Sequence, residues 1–216
     1  MKLLLTAEGL STPAIRQEFL RLVGKPINEV TVAFIPTAAD PEPDQTWVEQ
    51  AVGEVKYLGD FALKESELRS TKTVDVVDLK KFTPRSLLHI LTKYDVIWVN
   101  GGDTFYLLDW ARKSGFDKII HELLDQGKLY VGASAGSILA CPTIETAGWK
   151  GLEDLNCVKL QNLQALHLVD FYIFPHSTAD LKATLQTVAD KLDKPVYFLT
   201  NQQAVSVEDK KVKLVD

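Results

Sequence analysis

Only two cysteines occur in the 216 residues, Cys141 and Cys157. They form neither a disulfide framework nor the spacing of a metal site, so the expectation is a reduced, cytoplasmic protein without a bound metal. No apolar run approaches the roughly 20 residues needed to span a bilayer. The opening "MKLLLTAEGLST" begins like a leader peptide, but its apolar run stops at Leu5 and Glu8 follows, which is too short for one. No stretch is rich in Lys and Arg, and the net charge of −5 sets the summed field against nucleic acid and anionic membrane. Repeats, low-complexity tracts and domain linkers are also missing. These absences leave a soluble-type chain whose partners are neither nucleic acid nor membrane.

What is present is ordinary for a folded domain: 46% hydrophobic and 25% charged residues. The length predicts one domain over residues 1–216, able to bury a core without staples. Strand and helix patterns alternate. "KLLLTA" reads as a strand; Thr12, Pro13 and Gly24 then read as the cap, first turn and stop of a helix. "EVTVAFIPTAAD", "TVDVVDL", "DVIWVNGG", "KLYVGAS" and "DFYIFP" read as further strands, with amphipathic helices between them. Residues 60–72 are polar and carry no clear signal. Residues 143–165 read as mostly irregular, with a strand at "NCVKL", and the tail "VYFLTNQQAVSVEDKKVKLV" reads as a strand pair. The predicted class is α/β, a largely parallel sheet with helices on both faces.

In such sheets ligands bind outside the carboxyl ends of the strands. Three polar sequences fall at those ends: "NGGDT" at 100–104, "GASAG" at 132–136 and "PHST" at 175–178. The Gly-x-Ser-x-Gly turn suits a nucleophile, because it holds Ser134 in a strained bend at a helix N-terminus. The following amide, on Ala135, faces the same space, where it can stabilise an oxyanion. A plain tight turn is the competing reading. A serine nucleophile needs a base. His89 and His121 lie inside amphipathic helices, and His167 lies in a loop without further signal. His176 follows a strand end and precedes a helix capped by Thr178, so it is the candidate base. The glycine pair at 101–102 lacks the further glycines or lysine of a phosphate loop. Gly102 is read as a second oxyanion donor, with Asp103 and Thr104 capping the next helix.

Taken together, "NGGDTFYLLDWARKSG…LYVGASAGSILACPTIETAG…FPHST" resembles the dipeptidase E family of serine peptidases, which includes the cyanophycinases. The resemblance covers most of the chain and is densest over 95–178. It implies a fold similar to class I glutamine amidotransferase domains, a flavodoxin-like three-layer sandwich. It also implies a nucleophile at Ser134, a base at His176, oxyanion donors at Gly102 and Ala135, a short peptide substrate and no cofactor. Two departures stand out. Where aspartyl dipeptidases carry an acid in "TTND", this chain has "ETAGWKG" with Trp149. The local candidates for the third member are Glu145, Glu153, Asp154 and Asp170, and the sequence does not choose among them. The segment after His176 has Lys182 and no arginine, so the resemblance does not extend to strict Asp-X specificity. A non-catalytic binding protein on the same scaffold and an esterase remain alternatives, and a homodimer is the expected assembly.

Overall fold

The computed structural model describes residues 1–58, 70–152 and 154–216, so most of the polar 60–72 segment and Glu153 lie outside the described residues. The first apolar run forms β1 (Lys2–Thr6). Thr12 then caps α1 (Pro13–Val23), its hydroxyl accepting from the Ile15 amide at 3.2 Å, and Gly24 ends the helix at φ 69°. There follow β2 (Thr31–Ile35), α2 (Thr46–Tyr57), β3 (Thr73–Val76), α3 (Pro84–Leu91) and β4 (Val96–Val99). Next come α4 (Thr104–Ser114), α5 (Phe116–Asp125), β5 (Leu129–Ala133) and the short α6 (Ala135–Leu139). The last elements are β6 (Tyr172–Phe174), α7 (Ala179–Ala189), β7 (Val196–Phe198), β8 (Ala204–Glu208) and β9 (Lys211–Val215).

Seven strands form one sheet in the order β3-β2-β4-β5-β1-β8-β9. The first five are parallel, and the β8–β9 hairpin adds antiparallel to β1. Successive side chains of a strand point to opposite faces, so both layers can be read along single strands. Leu4, Val96, Trp98 and Val131 pack with Phe19 and Leu22 of α1 and Val55 of α2. Leu3, Leu5, Ile97, Val99 and Tyr130 pack with α3, α4, α5 and α6 on the other face. This is the α/β class expected from the alternating pattern. No helix among the described residues is long and apolar enough to cross a membrane.

Three local expectations are corrected. The "DFYIFP" strand, β6, is not in the main sheet; it pairs in parallel with β7 as a separate two-stranded sheet. The tail is therefore not one strand pair: β7 joins β6, and only β8 and β9 form the hairpin. "NCVKL" is not a strand. The Asn156 side chain takes both backbone groups of Leu160, at 2.8 and 2.9 Å, and Lys159 sits at φ 56°, which removes the segment from any ladder.

The hairpin is fastened to α1 by a charged cluster. Glu18 is buried, and its carboxylate accepts from Arg21 at 2.9 and 3.1 Å, from Ser206 at 2.6 Å and from Lys213 at 3.2 Å. The Arg21 bond, with those from Ser206 and Lys213, outweighs burial and lowers the Glu18 pKa from 4.5 to about 2. Because the folded value lies below the unfolded one, this stabilisation is present above pH 4.5 and is lost as pH falls toward 2. Glu18→Gln is expected to cost about 2 kcal/mol at pH 7, with the deficit shrinking on acidification. Urea unfolding of both proteins across pH 3–7 measures it; a deficit that does not depend on pH would refute the assignment.

Candidate active site

The turn from β5 into α6 places Ser134 at φ 50°, ψ −112°, a region that L side chains seldom occupy. Neighbouring bonds hold it there. The Ser134 amide donates to Thr6 O at 3.0 Å, at the end of β1. The Ser137 hydroxyl donates to Thr6 O and Gly132 O at 2.7 and 2.8 Å, and Tyr130 OH donates to Gly136 O at 2.7 Å. Gly136 is obligatory for a packing reason: a Cβ there would lie 2.0 Å from Val99 O. The short helix therefore sits directly on the end of β4.

His176 follows β6 at φ 55°. Its Nε2 lies 2.9 Å from Ser134 Oγ. Its Nδ1 lies 2.7 Å from Oδ1 of Asn201. With a carbonyl oxygen on that side, Nδ1 carries the proton and Nε2 is free to accept from the serine hydroxyl. The parallel β6–β7 pair explains the juxtaposition. Their ladder continues through Leu199 N to Phe174 O at 2.9 Å and Ser177 N to Leu199 O at 2.8 Å, which brings the turn after β7 beside His176. The Ser11 hydroxyl donates to Asn201 O at 2.6 Å and ties the turn down.

None of the described acid candidates is bonded to His176. Asp154 accepts from the Thr104 amide at 2.8 Å, and burial raises its pKa; it anchors its loop to the start of α4. Asp170 pairs with His167 at 3.0 Å, and Glu145 is exposed. Glu153 lies outside the described residues. Trp149 is buried and stacks on Phe174 of β6 with centroids 6.1 Å apart. It packs against β6, the strand that leads into His176. Asn201 was the residue missed by sequence reasoning. Its signal was its place: "TNQQ" stands just past the carboxyl end of β7, as the other polar segments stand past theirs.

Gly102 lies at φ 127° beside the serine, and Asp103 caps α4 by accepting from the Tyr106 amide at 2.7 Å. Neither the Gly102 nor the Ala135 amide has an acceptor among the described residues. Both line or adjoin a cleft of about 310 Å³ that Ser134 and His176 also line. The other histidines are elsewhere: His89 is exposed on α3, and His121 meets Leu166 O at 3.1 Å. Burial pushes the Cys141 thiol up to about 12, so it is not a competing nucleophile. Among the described residues no group of three or more His, Cys, Asp or Glu side chains could hold a metal ion.

The Peptidase family S51 model matches residues 3–215. The chain belongs to that family. It is thus a serine peptidase, a hydrolase acting on peptides. Among its S51 relatives is an uncharacterized peptidase of Listeria monocytogenes, 33% identical over 186 residues, 84% of each chain. Peptidase E of Salmonella typhimurium is 31% identical over 177 residues, 82% of this chain and 68% of the relative. The crystal structure of a Listeria monocytogenes EGD-e protein described as a peptidase E superposes with a TM-score of 0.77 at 29% identity, over 99% of this chain and 96% of that one. A peptidase from an acI-B1 Actinobacterium shares the fold, with a TM-score of 0.65 at 16% identity, over 99% and 86% of the two chains.

Proposed function

We propose that this S51 peptidase hydrolyses short peptides with Ser134 as nucleophile, His176 as general base and Asn201 as the residue that orients the imidazole. The observation that carries the reading is the continuous relay Ser134–His176–Asn201, with contacts of 2.9 and 2.7 Å. As Oγ attacks the scissile carbonyl carbon, His176 Nε2 takes its proton. The Gly102 and Ala135 amides donate to the oxygen that becomes negative. The imidazolium then protonates the leaving amine, and a water activated by the same nitrogen releases the acyl group. A cleft of about 310 Å³ suits one or two residues rather than a long chain.

An asparagine in the third position fixes the tautomer but brings no negative charge to the imidazolium. Part of what a carboxylate contributes is thus absent, and turnover is expected to rely more on the oxyanion donors. The same reading keeps the chain in the cytoplasm, with both thiols reduced, and makes a homodimer the assembly to test by sedimentation.

An uncharged fluorophosphonate probe tests the relay. Ser134 of the wild type is expected to label, His176→Ala to abolish labelling, and Asn201→Ala to slow it about 10- to 100-fold. An unlabelled wild type, or a His176→Ala protein that labels at the wild-type rate, would sink the proposal.

A further inference from the structure

The cleft that holds Ser134 also holds two carboxylates, Glu8 after β1 and Glu54 on α2. The peptidase mechanism uses neither. Among the described residues neither is paired with a Lys or Arg, and no Lys or Arg lines the cleft. Glu54 is half-buried. Its Oε2 and the ring of Trp98 flank Gly9, where a Cβ would lie 3.7 Å from each. Burial first, and then the nearby charge of Glu8, raise the Glu54 pKa, which is the behaviour of negative charge gathered without a counter-ion.

A second feature of the same wall points to a ligand. Trp98 and Asn100 line the cleft and are 2% and 4% exposed, yet Trp98 Nε1 and Asn100 Nδ2 have no hydrogen-bond partner among the described residues. Buried donors without acceptors are uncommon in folded proteins. A peptide offers the complement to both features, a cationic nitrogen for the carboxylates and carbonyl oxygens for the donors.

We infer that Glu8 and Glu54 form a subsite for a cationic nitrogen on the acyl-side residue of the substrate, with Asn100 and Trp98 donating to its carbonyl oxygens. The nitrogen is either the free α-ammonium of the peptide or the side chain of a Lys or Arg. The subsite rests on Ser134 being the nucleophile, and it is opposite in charge to a site that reads an N-terminal aspartate.

Four dipeptides separate the sources: Leu-Ala against N-acetyl-Leu-Ala, and N-acetyl-Lys-Ala against N-acetyl-norleucine-Ala. The wild type is expected to favour the cationic member of at least one pair by about 10- to 100-fold in kcat/KM. A preference within the first pair identifies the α-ammonium; one within the second identifies the side chain. The Glu8→Gln, Glu54→Gln double variant should bring that ratio to within a few-fold of one, and the single Glu8→Gln variant, at an exposed position, serves if the double variant misfolds. No cationic preference in the wild type, or one undiminished in the folded variants, overturns the subsite. The uncharged probe keeps the two readings apart. A wild type that labels at Ser134 but shows no preference refutes the subsite alone, whereas one that does not label refutes both.

Discussion

Ser134→Ala is expected to lower peptide hydrolysis by about four orders of magnitude or more, with the fold unchanged. The reason is chemical: the hydroxyl 2.9 Å from His176 Nε2 is the atom proposed to bond to the substrate, and no other side chain in the cleft can replace it. Alanine keeps the same Cβ at φ 50°, so the local strain is retained and thermal unfolding should shift little. Ser134→Gly makes the complementary test. It removes the same oxygen but relieves a backbone conformation that costs about 1–3 kcal/mol, and its melting temperature should equal or exceed that of the alanine variant. Hydrolysis of a dipeptide pool and thermal unfolding of the three proteins decide the matter. Alanine-variant activity within tenfold of wild type would remove Ser134 from the chemistry.

Gly102→Ala is the second large effect. A Cβ at this position would stand 2.2 Å from Ala38 O and 2.7 Å from Ala39 N, both backbone atoms that cannot rotate away, and φ 127° is itself closed to alanine. The loop must shift, and the bond from Asp103 N to Ala38 O at 2.8 Å shifts with it. The expected result is a loss of about 2–3 kcal/mol of stability and, in the protein that remains folded, a fall of about 100- to 1,000-fold in kcat. Gly127→Ala is the matched control. It sits at φ 86° with nothing within 4 Å of its Cβ, beyond the end of α5 and away from the cleft. It should lose about 1–2 kcal/mol and no activity. If Gly102→Ala unfolds earlier but turns over normally below its transition, the Gly102 amide is not an oxyanion donor.

Much of the architecture was legible in the chain because it depends on local chemistry. Thr12, Thr83 and Thr178 cap the helices that follow them, and Gly24 and Gly115 end theirs in the left-handed region. Alternation along "KLLLT" and "VIWV" divides their side chains between two helix layers. The placement of polar segments at strand carboxyl ends pointed to Ser134, Gly102 and His176. Two segments depart from the pattern for different reasons, one a local side-chain bond and the other a pairing between distant strands. "NCVKL" has the composition of a strand, but Asn156 closes it on itself. "VYF" resembles half of a hairpin, but its partner is β6, more than twenty residues earlier.

Asn201 shows the boundary between the two kinds of information. The sequence by itself determined the fold class, the serine in the turn after β5, and a tryptophan, Trp149, where the aspartyl dipeptidases it resembles carry an acid. It could not determine which side chain meets His176 Nδ1, because hydrogen-bond partners far apart in the chain are chosen by packing and not by spacing. Trp149 stacks beneath β6, β7 pairs alongside it, and the turn after β7 is thereby delivered to His176. Only the tertiary structure decided that an amide oxygen, 25 residues beyond the histidine, would hold the ring.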